Sequence, residues 1–91
     1  MHIYKIYQLF TSPYSQYMAD YAKASANLLL VRKKIDEKGL KPELQQELAA
    51  AESALDAEYV KIKGLYQASN IEDENLESLN SIVEADYKVT R

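Results

Sequence analysis

Cysteine and tryptophan are absent from this 91-residue chain, histidine occurs once, and glycine and proline occur twice each. Without cysteine there is no disulfide framework, no thiolate nucleophile and no cysteine zinc knuckle. The single imidazole, His2, stands second in the sequence. Chain ends commonly fray, which argues against a catalytic base there. A Ser–His–acid triad would therefore have to be built on the terminus. Gly39 and Gly64 lie too far apart to form a phosphate-cradling loop. The Glu-x-x-His pairs of a carboxylate-bridged metal site in a helical bundle are also missing. No cofactor, metal or small-molecule substrate is expected.

Long apolar runs are lacking as well. The longest aliphatic stretch, Leu28-Leu29-Leu30-Val31, is too short to span a bilayer. The first residues, Met-His-Ile-Tyr-Lys, have neither the basic stretch nor the apolar core of a secretory signal. These features, with the missing cysteines, lead to the expectation of a cytoplasmic or particle-associated protein with no membrane contact.

What is present reads as folded and helical. A hydrophobic fraction of 47% with 27% charged residues suits a soluble folded chain rather than a disordered one. The length fits a single helical domain, residues 1–91, with a modest core. Ser12-Pro13 has the form of an N-cap followed by proline at the first helical position. From there no breaker occurs until Gly39, so the first helix is expected over 13–38. With Gly39 as the residue after the C-cap, Leu40 and Ile35 take the positions that touch in a Schellman motif. Arg32, Lys33, Lys34 and Lys38 place cations at the negative end of that helix.

Pro42 opens a second helix after the short linker Gly39-Leu40-Lys41, which forces an antiparallel hairpin. Its apolar stripe is Leu44, Leu48, Ala51, Leu55, Tyr59, Ile62 and Tyr66, spaced by threes and fours. Because Tyr66 extends the stripe, the helix is expected to continue through Gly64 to about residue 68. A stop at Gly64 is the alternative. Ser69-Asn70-Ile71-Glu72 matches a capping box and predicts a third helix over about 70–88. Leu76, Leu79, Ile82, Val83 and Tyr87 would form its inner side. Ahead of the hairpin, Ile3, Ile6, Tyr7 and Phe10 share one helical face, with Lys5, Gln8 and Ser12 opposite. A short helix is expected for residues 2–11, and their β-branched and aromatic content keeps a strand as the alternative. The fold class is all-α: a helical hairpin, a third helix and a short N-terminal segment. In architecture, such a helix–Gly/Pro turn–helix hairpin resembles secretion-needle subunits and several phage structural proteins. No residue role is carried over from that resemblance.

Charge is unevenly divided. Residues 1–41 hold seven basic and three acidic side chains, whereas 42–91 hold four basic and eleven acidic ones. The cluster Arg32, Lys33, Lys34, Lys38 and Lys41 reads as dipole complementation plus pairing with neighbouring carboxylates such as Asp36 and Glu37. No aromatic residue is interleaved with it and the whole chain is acidic, so nucleic acid is disfavoured as a partner. The acidic pairs Glu43/Glu47 and Glu52/Asp56 sit opposite the apolar stripe, as a solvated face would.

Aromatic residues give the sharpest functional hint. Six of the nine fall within the first 21 residues: Tyr4, Tyr7, Phe10, Tyr14, Tyr17 and Tyr21. Part of this series must serve as a core seam for the second helix. Tyrosine is nevertheless an awkward core residue, because each buried hydroxyl needs a partner, and it suits an interface that is apolar at one end and wet at the other. The run at 28–31 covers every side of a helix, so one hairpin partner cannot bury Leu29 and Leu30 as well. The expected protein interface is Tyr4, Tyr7, Phe10, Tyr14, Tyr17, Tyr21, Leu29 and Leu30. The expected function is non-enzymatic protein–protein interaction: an assembly subunit or adaptor that forms a homo-oligomer or joins a larger complex. The second reading is a small acidic inhibitor or immunity-type protein that blocks an enzyme through the stretch from Glu72 to Asp86.

Overall fold

Helix-forming sequence and the break from Gly39 to Pro42 set the start of the element order. The computed structural model describes residues 13–68 and 73–91. Tyr4, Tyr7, Phe10 and the helix-or-strand alternative for residues 2–11 lie outside them, as does the capping box at Ser69–Glu72. Among the described residues the fold is all-α, with α1 at Ser15–Lys38, α2 at Pro42–Ala68 and α3 at Glu74–Thr90. The first two helices form the antiparallel hairpin, and α3 packs on it.

Helix ends depart from the sequence expectation in instructive ways. α1 starts at Ser15 rather than Pro13: Pro13 and Tyr14 form a turn, and the Tyr14 carbonyl accepts the first helical bond from the Met18 amide at 3.2 Å. At the other end, Gly39 has φ 84° and ψ 165°, and its amide donates to the Ile35 carbonyl at 2.8 Å. This single-bond cap replaces the expected Schellman motif. The extended ψ carries the chain away from the helix, so Leu40 does not fold back over Ile35 and stays 57% exposed.

α2 passes through Gly64 without a break and ends at Ala68. A Cβ placed at Gly64 would meet nothing within 4 Å, so the glycine there serves no packing need. Tyr66, which extended the stripe, lies at its edge with 36% exposure.

α3 begins at Glu74, not near residue 70. Asp73 is the N-cap, extended at φ −111° and ψ 112°, and its side chain accepts from the amides of Asn75 (2.9 Å) and Leu76 (3.3 Å). Glu74 and Glu77 then occupy the first turn, where the helix dipole favours them. The helix also runs past Lys88, the expected end, to Thr90. The Arg91 amide bonds the Tyr87 carbonyl at 2.9 Å, and the Arg32 guanidinium of α1 donates to the Thr90 carbonyl.

The core is drawn from all three helices. Tyr21, Leu28 and Val31 of α1 meet Ala51, Leu55 and Ile62 of α2 and Leu76, Leu79 and Val83 of α3. Each such large aliphatic side chain contributes about 1.5–3 kcal/mol on burial. Contacts from α1 to α3 rise together along both helices, from Tyr14–Asp73 through Ser25–Asp86 to Arg32–Thr90. α1 and α3 are therefore parallel, with α2 running the other way.

Candidate interaction surface

Tyrosine hydroxyls inside a small bundle need acceptors, and three of them find aspartates on another helix or its cap. Tyr14 donates to Asp73 (3.0 Å), Tyr21 to Asp86 (2.8 Å) and Tyr87 to Asp56 (2.6 Å). The Ser25 hydroxyl shares the same Asp86 oxygen at 2.9 Å. Burial, and then the Asp86 carboxylate, push the Tyr21 hydroxyl far above the ordinary tyrosine range. The Tyr14 hydroxyl holds the Asp73 carboxyl below its usual range, helped by the Leu76 and Asn75 amides. The Arg91 guanidinium, with Tyr87, does the same for Asp56. In the Tyr14–Asp73 and Tyr87–Asp56 pairs the bond favours a neutral phenol beside a charged carboxylate.

Ionic contacts reinforce the attachment of α3. Arg91 binds Asp56 at 2.9 Å and Glu52 at 3.3 Å, and the Tyr87 ring stacks on Tyr59 with centroids 3.8 Å apart. Lower on α2, Lys63 donates to Asn80 at 2.9 Å and pairs with Glu84. The cationic tip is partly spent in the same way: Lys34 pairs with Glu47 at 3.3 Å and Arg32 with Glu52 at 3.9 Å. These polar groups are arranged to hold helices together. Among the described residues no cluster of three metal-ligating side chains occurs.

Among the described residues, an exposed apolar strip lies on the outer side of α1. Leu29 is 53% exposed and Leu30 58%, and Ala19, Ala22 and Ala26 are exposed beside them. Between α1 and α3 an open recess of about 260 Å³ is lined by Met18, Ala22, Ala26, Leu29 and Ile82, with Asp86 as its one charged residue. Leucines and a recess in one contiguous strip are what a helix docking on this face would bury.

The expected Tyr-rich interface thus divides. Tyr21 is 1% exposed and belongs to the core, a correction that follows from its bond to Asp86. Tyr14 and Tyr17 are half-buried and packed against the core. Leu29 and Leu30 are half-exposed, and Leu29 lines the same recess as the edge of Tyr21. Ala22, Ala26 and Ile82 were not anticipated as surface residues of interest. Their signal was in the sequence as an uncharged series at threes and fours: Ser15, Ala19, Ala22, Ala26, Leu29.

Known proteins add nothing to this geometry: the chain matches no family model, no curated protein and no solved structure. Among the described residues no helix is long and apolar enough to cross a membrane.

Proposed function

We propose that this chain is a non-enzymatic assembly subunit, which joins copies of itself or members of a larger particle through the outer face of α1. The observation that carries the reading is the pair of half-exposed leucines, Leu29 and Leu30, continued by Ala22 and Ala26 into the α1–α3 recess. Apolar area left in water forgoes about 25 cal/mol per Å², and a partner helix recovers it. For the inhibitor reading, part of the acidic stretch is engaged within the chain, Asp73 and Asp86 by tyrosines and Glu84 by Lys63, while Glu74 and Glu77 stay exposed. Light scattering after size exclusion, across a wide concentration range, tests the proposal. A discrete oligomer or a growing polymer is expected. A mass fixed at 10.4 kDa at every concentration would reject self-assembly.

A further inference from the structure

We infer that the partner on this face is a second copy of the chain, with the two α1 helices antiparallel about a two-fold axis level with Ala24. The inference rests on the self-association proposed above and adds its geometry. Ser15, Ala19, Ala22, Ala26, Leu29 and Lys33 alternate in steps of four and three, the spacing of one helical seam. All are exposed except the half-buried Ser15. A two-fold axis makes an interface self-complementary, so the residue at position i meets the one that mirrors it. About Ala24, Leu29 of each copy lies over Ala19 of the other, and Ala22 lies over Ala26. Each large side chain faces a small one, and the small layer at the centre lets the backbones approach.

Charge selects the same register independently. The mirrored position of Lys33 is Ser15, at the start of α1. Because α3 runs parallel to α1 and Tyr14 bonds Asp73, the acidic first turn of α3 stands beside that point. Lys33 of one copy therefore arrives near Glu74 of the other. Within the chain both are exposed, and neither makes an ion pair among the described residues. A parallel pairing would instead set Leu29 on Leu29 and Lys33 on Lys33. The antiparallel axis does bring Lys23 near its own copy, on the side away from α3, so Lys23→Gln should tighten the dimer.

Sedimentation equilibrium of the full chain and its variants tests the register, with helicity by circular dichroism as the control for folding. Leu29→Ala is expected to weaken association about tenfold or more, the loss of two buried leucines per dimer. Ala19→Leu alone should also weaken it by crowding Leu29. The double variant Ala19→Leu/Leu29→Ala restores one large and one small residue to each layer and should recover most of the affinity. The charge exchange Lys33→Glu/Glu74→Lys should likewise recover what Lys33→Glu loses. If the wild-type chain associates but neither double variant recovers, the register is wrong while self-assembly stands. If the wild-type chain is monomeric throughout, both are overturned.

Discussion

Leu28 and Leu29 are chemically identical neighbours on α1, yet one is wholly buried and the other is half in water. Around Leu28 the helix is finished: Tyr21 and Val31 pack with α2 and α3, and the phenol and Ser25 hydroxyl share Asp86. Around Leu29 it is unfinished, with exposed alanines and an open recess. The difference teaches that hydrophobicity alone does not assign a residue to core or interface. Polar pairing does: the tyrosines could turn inward because aspartates were waiting for them.

The strongest way to break this comparison is truncation of the two leucines. Leu28→Ala should cost about 2–5 kcal/mol of unfolding free energy, as cavity-forming core changes do. Leu29→Ala should stay within about 0.5 kcal/mol when measured on dilute monomer, as exposed substitutions do. Similar losses from both, by urea denaturation, would erase the distinction between the faces.

A titration sharpens the role of the tyrosine–aspartate pairs. Asp56 and Asp73 ionise more readily folded than unfolded. As pH falls, the unfolded chain takes up their protons first. The stability they confer is complete above the ordinary carboxylate range, near pH ~4, and drains as pH drops through the lower folded values. Tyr14, Tyr21 and Tyr87 are shifted the other way, upward. Their contribution is complete below pH ~10 and is lost as pH climbs toward the folded values, because the unfolded chain releases those protons first. Unfolding free energy against pH should therefore be flat between these limits and fall on both sides. The alkaline loss should vanish preferentially in Tyr21→Phe.

How much of this was legible without coordinates follows from the same chemistry. The hairpin was legible, because Pro42 and Gly39 are local signals whose meaning does not depend on tertiary context. The third helix was legible but not its start: the capping box pointed to Ser69, whereas Asp73 has the extended backbone and accepts from the Asn75 and Leu76 amides. The tyrosine partners were not legible at all. Tyr21 and Asp86 are 65 positions apart, and nothing in a one-dimensional pattern brings them together. Consequently the pattern divides the aromatic series between core seam and interface without saying which tyrosine belongs to which.

The smallest expected effect concerns α2, whose Gly64 sits in a helix with open space around it. Gly64→Ala should stabilise the chain by about 0.5–1 kcal/mol, chiefly by restricting the unfolded state. Because residue 64 lies on α2 and outside the α1 seam, association should be unchanged. A loss of stability would show that the glycine does something the helix geometry does not reveal.

The most direct test of the two-faced helix sets Tyr21→Phe beside Leu29→Lys and records solution mass and unfolding free energy for each. Tyr21→Phe should lower stability by about 1–2 kcal/mol, the loss of a hydrogen bond to a charged acceptor, and leave the oligomer intact. Leu29→Lys should dissociate the oligomer and leave the monomer's stability almost unchanged. An oligomer that survives Leu29→Lys, or that falls apart in Tyr21→Phe, would contradict the account.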